Sequence, residues 1–258
     1  MSTALITGAS KGIGKAIAEI LASKKIDLLL VARSEDLLKE LATYLRSTFS
    51  VEVNYLVVDL SQTNAVDKIF DWCVNEKKEI NILVNNAGYG LSGPFDKYGI
   101  EEHLEMMKVN MNVPVQLIHT FLPMLRRQSK SYILNIASTA AYQSVPGLNV
   151  YAATKAFILN FSRGLRYELR KSNISVTVIS PGATDTDFPN RASVGEKATK
   201  AAEKLNMQPG AVAAIAVNAM FDRRTEVIAG FTNKLTSFFV WLLPKQIAEK
   251  IAANIYEL

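Results

Sequence analysis

The chain has little of several features on which whole classes of function depend. It carries one cysteine, Cys73, in 258 residues. No intrachain disulfide can form, and no C-x-x-C or zinc-ligand spacing exists. A reducing, cytoplasmic setting fits that composition. The two histidines, His103 and His119, fall in the helical stretch before the fifth strand and read as structural or solvated. The strongest apolar run, FFVWLLP from Phe238, is far short of the ~20 residues that span a bilayer. The first residues enter a strand-like segment without the charged and apolar regions of a signal peptide. Runs of one charge are also missing. The net charge of +5 is spread over scattered lysines and arginines, so no nucleic-acid arm is expected. Asp185 and Asp187 lack partners at metal-ligand spacing and read as loop and cap residues; no metal is expected.

What remains is a chain that is 49% hydrophobic and 21% charged, suited to a substantial core. Short β-rich runs at 3–7, 27–32, 51–58, 80–86, 131–137, 174–180 and 226–230 alternate with helical patterns near 12–24, 34–48, 62–77, 103–127 and 150–171. The strands are continuously apolar rather than alternating, which points to a parallel sheet covered on both faces. Repeated strand-helix-strand units imply right-handed crossovers and a doubly wound α/β fold. No linker, low-complexity tract or repeat interrupts the chain, so one domain over 1–258 is expected. Two regions break the rhythm: a polar, proline-bounded segment at 187–210, read as a lid, and an apolar tail at 231–258 interrupted by Pro244.

The first strand feeds TGASKGIGKAIAEIL, with Gly8, Gly12 and Gly14 ahead of an amphipathic helix. Glycine allows a tight turn and close approach to a pyrophosphate, and the helix N-terminus offers free N–H groups and a positive dipole. A carboxylate at the end of the second strand would select NAD; an arginine there accommodates a 2′-phosphate. This strand ends in VARS, so Arg33 stands where the acid would be, and Lys11 in the glycine loop supplies a second positive charge. NADP(H) is the expected cofactor.

One further stretch, NVYAATKAFILNF from Asn149, places Tyr151 and Lys155 one helical turn apart on a shared face. With 9 tyrosines in the chain, roughly half a Y-x-x-x-K is expected by chance, so the pair means little alone. It comes, however, within an ordered set: Thr7-Gly8-Ala9-Ser10-Lys11-Gly12-Ile13-Gly14, Asp59, Asn85-Asn86-Ala87-Gly88, Asn110, Ser138, Tyr151 with Lys155, and Pro181-Gly182-Ala183-Thr184-Asp185-Thr186. Over about residues 3–186 the chain resembles the classical short-chain dehydrogenase/reductase family.

That resemblance implies a single Rossmann-like sheet of about seven strands in the order 3-2-1-4-5-6-7. Residues 1–130 would form mainly the dinucleotide-binding half and 131–258 the catalytic and substrate half. The dinucleotide would lie on Gly8, Ser10, Lys11, Gly12, Ile13 and Gly14. Asp59 with Leu60 would meet the adenine, and Asn86, Ala87 and Gly88 its ribose side. Pro181, Gly182, Thr184 and Thr186 would hold the nicotinamide end. Asn110, Ser138, Tyr151 and Lys155 would be the catalytic set, with Tyr151 and Lys155 also touching the cofactor. The chemistry is consistent with that set. A free tyrosine has a pKa near ~10, a poor match to neutral pH, and a neighbouring ammonium would lower it. Ser138 can donate to a substrate oxygen where negative charge builds. Pro114 has no N–H to give the Asn110 carbonyl, which in the family holds a water that passes protons to the lysine.

Ligands bind beyond the C-terminal ends of such strands, so the substrate pocket should draw on 88–95, 139–148 and the 187–210 segment. Tyr89, Tyr142, Val145, Leu148 and Phe188 suggest a mostly apolar cavity, suited to an apolar ketone or 3-oxoacyl carbonyl. The apolar tail is suited to covering the pocket, joining a subunit interface or touching a membrane. The resemblance implies a homodimer or homotetramer. Two other readings stay open: an NADP(H) sensor without turnover, and an epimerase or dehydratase of the same broad superfamily.

Overall fold

The computed structural model of the chain describes residues 2–188, 192, 194–203 and 206–256. Seven strands form one sheet in the order β3-β2-β1-β4-β5-β6-β7, with every neighbouring pair parallel. They are β1 (Thr3–Thr7), β2 (Asp27–Ala32), β3 (Val53–Val57), β4 (Ile82–Asn85), β5 (Ser131–Ile136), β6 (Ile174–Ser180) and β7 (Glu226–Ile228). The continuous apolar character of the strands has a direct cause. Ala4 and Ile6 of β1 belong to the core on one face, while Leu5 belongs to the core on the other. A strand covered on both sides has no solvent face on which to place polar residues.

The first core is closed by α1 (Gly12–Ser23) and α2 (Glu35–Phe49), through Ile17, Leu21, Leu38 and Leu45. The second is closed by α3 (Ala65–Asn75), α4 (Ile100–Met107), α5 (Val113–Arg127) and α6 (Asn149–Glu168), through Ile69, Met106, Phe121 and Tyr151. The segment expected as one helix over 103–127 is divided: a π-helical turn at Lys108–Asn112 separates α4 from α5. There the Val113 N–H reaches back to the Lys108 carbonyl. The following residue, Pro114, has no N–H to continue the ordinary ladder, which accounts for the widened turn at this point.

After β6 come α7 (Glu196–Glu203) and α8 (Pro209–Phe221). The 187–210 segment expected as a lid thus contains α7, while 189–191, 193, 204 and 205 lie outside the described residues. Ser92 donates its N–H to the Ala192 carbonyl, and Ala192 to the Phe188 carbonyl, which joins this segment to the loop after β4. The pattern of the sequence does not mark α8. Its run of alanine and valine has no polar face, so no 3.6-residue period shows; Val212, Ala213, Ala216 and Val217 let it pack closely on α1. Beyond β7 the tail forms α9 (Phe231–Leu242) and α10 (Lys245–Ile255), separated at Pro244.

The C-terminal ends of β1 to β6 all open on one edge of the sheet. Because β1 lies between β2 and β4, the winding reverses between β3 and β4. Such a reversal leaves a crevice in which ligands sit.

Candidate functional site

A cavity of about 470 Å³ occupies that crevice. Its walls contain Gly8, Ser10, Lys11, Gly12 and Ile13 from the loop into α1, Arg33 after β2, and Asp59 with Leu60 after β3. Asn86, Ala87 and Gly88 follow from β4, Ser138 from β5, Tyr151 and Lys155 from α6, and Pro181, Gly182, Thr184 and Thr186 from β6. Residues spread over the whole chain therefore meet on one surface. Gly14 lies beneath the loop rather than in the wall.

The loop is built for close approach. Gly8 has φ +66°, and a Cβ at Gly14 would stand 2.3 Å from the Gly8 carbonyl oxygen. The side-chain amide of Asn86 donates to the Thr7 and Gly8 carbonyls, both at 3.0 Å, and the Thr7 hydroxyl accepts the N–H groups of Asn86 and Ala87. No side chain caps the first turn of α1, whose N-cap is Lys11. Its orphan N–H groups and the positive end of its dipole face a bare glycine surface, the environment that an anionic pyrophosphate fits. The residues present thus suit a dinucleotide.

Charge is arranged around that groove. An Arg33 guanidinium nitrogen lies 3.7 Å from an Asp59 carboxylate oxygen, both side chains being well exposed. Burial pushes the Asp59 carboxyl up, but bonds from Ser61 and the Arg33 charge outweigh it, and the net shift is downward. The Lys11 ammonium stands 3.3 Å from Asp187, linking the glycine loop to the chain that follows β6. Asp187 is therefore an ion-pair partner as well as a loop residue, which the sequence pattern does not show.

Tyr151 and Lys155 are both buried. The Lys155 ammonium donates to the Ile136 carbonyl at 2.9 Å and lies 5.7 Å from the centre of the Tyr151 ring. Burial draws the Lys155 amine down to about 8. Burial pushes the Tyr151 phenol up to about 12, opposed by a hydrogen bond with Ser138 and assisted by Tyr256. This reverses the expectation of a phenol acidified by its lysine. In the protein alone desolvation decides the direction, and the phenol holds its proton.

Asn110 is fully buried on the π-helical turn. Its amide nitrogen donates to the Tyr89 carbonyl at 2.9 Å and to the Thr154 hydroxyl at 3.1 Å, and its amide oxygen accepts the Tyr89 N–H at 3.1 Å. The resemblance drew attention to its backbone carbonyl; the side chain turns out to tie β4's loop to α6.

Of the expected substrate residues, Tyr89, Leu148 and Phe188 line the cavity, with the Phe188 ring 5.1 Å from that of Tyr151. Tyr142 and Val145 do not belong to its wall. The Tyr142 hydroxyl turns away to Glu226 at 2.6 Å and Ser180 at 3.1 Å, and burial followed by the bond to Glu226 raises its pKa. Val145 is buried in the second core. Two lining residues, Glu105 and Tyr256, escaped the sequence pattern. Glu105 accepts from the Tyr89 hydroxyl at 3.1 Å, and Tyr256 arrives from the end of the tail. Neither carries a motif. His103 is buried against Phe95 and Tyr98 with Nε2 at 3.0 Å from the Phe95 carbonyl, and His119 is exposed; both stand outside the cavity wall. Among the described residues no group of histidine, cysteine or carboxylate side chains is placed to hold a metal.

Comparison with known proteins agrees with this geometry. Residues 2–197 match the short chain dehydrogenase family. An uncharacterized oxidoreductase of Staphylococcus epidermidis is 33% identical over 202 residues, spanning 78% of this chain and 86% of that protein. A very-long-chain 3-oxoacyl-CoA reductase of Danio rerio is 38% identical over 183 residues, spanning 69% of this chain and 56% of the relative. A short-chain dehydrogenase from Sphingobium yanoikuyae, solved in complex with NADPH, superposes with a TM-score of 0.82 at 31% identity, covering 93% of this chain and 92% of that one. Ser138, Tyr151 and Lys155 stand in the cavity wall, while Asn110 lies behind it, and the chain is a member of the classical short-chain dehydrogenase/reductase family of oxidoreductases.

Proposed function

We propose that this protein reduces an apolar ketone or 3-oxoacyl carbonyl to the alcohol with NADPH. The observation that carries this reading is the buried Tyr151 in the crevice wall with Ser138, the Lys155 ammonium lying 5.7 Å from the centre of its ring. Bound in the groove, the cofactor supplies hydride to the carbonyl carbon.

This chain's own residues handle the oxygen. The Ser138 hydroxyl and the Tyr151 phenol converge where the substrate oxygen would lie, so both donate to it as negative charge develops. Tyr151 then gives up its proton. A phenol held near 12 keeps its proton in the resting enzyme, so the proton is in place for the reductive direction, but giving it up requires stabilisation of the phenolate that forms. The positive charge of Lys155 is placed to stabilise the phenolate once it forms. Asn110 keeps the loop after β4 and the start of α6 in register.

Arg33 and Lys11 support NADP(H) over NAD(H), since both offer positive charge to a 2′-phosphate at the rim. Leu148, Phe188 and the Tyr89 ring support an apolar substrate. The name of the Danio rerio relative makes 3-oxoacyl thioesters the first class to try. The test is NADPH oxidation by the purified protein with ketones, aldehydes and 3-oxoacyl thioesters, repeated with NADH and with Tyr151→Phe. Turnover that depends on NADPH and drops by about 10²–10⁴-fold or more in the variant is expected. Tight NADPH binding without turnover on any carbonyl would favour a sensor instead.

A further inference from the structure

The helix Phe231–Leu242 is built inside out. Its inward face carries Asn233, whose side chain lies against the backbone at Gly182 and donates to the Ala229 carbonyl at 2.7 Å, and Ser237, which is only 9% exposed. Its outward face carries Phe231, Leu235, Phe238, Phe239, Trp241 and Leu242, with Phe231 79% and Trp241 76% exposed. The next helix repeats the arrangement: Ala248 and Ala252 are buried while Ile247 and Ile251 face out. A folded chain places its largest apolar side chains toward solvent only where something else covers them.

Charge identifies the cover. From 227 to 255 the sequence contains Lys234, Lys245 and Lys250 against a single acid, Glu249, and Lys234 and Lys245 flank the aromatic cluster. A symmetric contact of this face with a second copy would set these three lysines against their own counterparts with only Glu249 to offset them. An anionic lipid surface complements them instead. Phenylalanine and tryptophan beside lysine are also the residues that settle at the boundary of headgroups and acyl chains. The helix is 12 residues long, about 18 Å, short of the ~30 Å hydrocarbon core. It can therefore lie in the interface and cannot span it. Among the described residues no helix is long and apolar enough to cross a membrane.

We infer that the face formed by Phe231–Leu242 and Lys245–Ile255 is a docking surface for an anionic membrane, holding the enzyme on the bilayer as a peripheral protein. Asn233 and Tyr256 on the inner side of this tail touch the cofactor crevice, but none of the outward apolar residues lies in its wall, so a test that reads lipid binding does not depend on the reaction proposed above.

The experiment uses the full chain with vesicles of phosphatidylglycerol or of phosphatidylcholine, read by flotation and by the emission of Trp241 in a Trp72→Phe background. Flotation with phosphatidylglycerol and a blue shift of Trp241 on vesicle addition are expected. Phe238→Ser with Trp241→Ser should reduce flotation by about tenfold or more, as befits the loss of two aromatic side chains from an apolar medium. Lys234→Glu with Lys245→Glu, which leaves the apolar face intact, should abolish the preference for phosphatidylglycerol. Light scattering of the same samples gives the oligomeric state. Failure to float with either vesicle overturns the inference. So does a Trp241 emission already blue-shifted without lipid, in an oligomer that Phe238→Ser with Trp241→Ser dissociates, because a second copy would then cover the face.

Discussion

The side-chain amide of Asn110 pairs with both backbone polar groups of Tyr89, accepting its N–H at 3.1 Å and donating to its carbonyl at 2.9 Å. The arrangement imitates one rung of a β-ladder at the point where β4 has ended. A buried amide in this position leaves no backbone group of Tyr89 orphaned, and the π-helical turn at Lys108–Asn112 carries the side chain to it. Asn110→Leu, similar in shape, would strand these groups away from water. Each buried polar group left without a partner costs about 1–3 kcal/mol, so a loss near the upper end of that range is expected in denaturant unfolding. NADPH affinity should fall as well, because Gly88 and Tyr89 form part of the crevice wall.

Arg33 and Asp59 sit 3.7 Å apart at the rim that would receive the adenosine ribose. Arg33→Asp should raise the KM for NADPH by about 10–100-fold, the worth of a charge-assisted hydrogen bond, and improve the use of NADH. Steady-state kinetics with both cofactors check this. An unchanged KM for NADPH would mean that Arg33 does not read a 2′-phosphate.

Lys155 couples the site to the pH dependence of stability. Its folded pKa of about 8 lies below the ordinary 10.5. Between those values the unfolded chain holds a proton that the folded chain has lost, so this residue makes stability rise with pH across that window. Below the window both states are charged, and folding bears the full cost of burying the ammonium, on the order of 3 kcal/mol. Lys155→Met removes the titration. The stability difference between variant and parent should therefore be constant below about pH 8 and shift in the parent's favour from there to about 10.5. Denaturant unfolding of the cofactor-free protein across pH 7 to ~11 gives the curve. Tyr151, whose phenol is raised to about 12, loses stability above ~10 in both proteins and cancels from the difference. The bond from Lys155 to the Ile136 carbonyl alters only the constant offset.

Tyr142 and Tyr256 form a contrasting pair. Tyr142→Phe removes bonds to Ser180 and Glu226 outside the cavity wall. It should cost about 1 kcal/mol of stability and leave substrate KM unchanged. Tyr256→Ala opens the cavity beside Tyr151 and should raise KM for a bulky substrate, and because Tyr256 packs against the second core it should also lower the melting temperature more than Tyr142→Phe does. Thermal unfolding and steady-state kinetics on the two variants separate the roles.

Much of this protein was legible in its sequence because the signals are local. The continuous apolar strands announce a sheet buried on both faces, as Leu5 on one side and Ile6 on the other demonstrate. The glycine loop, Arg33 and the tyrosine-lysine turn are short-range patterns whose geometry follows from the strand or helix that carries them, and the structure brings them into one wall.

What tertiary structure alone decided involves partners far apart in the chain. Tyr142 looked like a pocket residue until Glu226, 84 positions later, offered its hydroxyl a carboxylate. Tyr256 enters the cavity only because two tail helices fold back across the molecule. The helix Pro209–Phe221 has no polar face to betray it and is stabilised by packing on α1. Even the direction of the Tyr151 shift reverses, because the spacing to Lys155 is written in the helix but the loss of water around the phenol is a property of the assembled core. Spacing along one element sets which groups are neighbours; the surroundings that set their energies come from every other element packed against them.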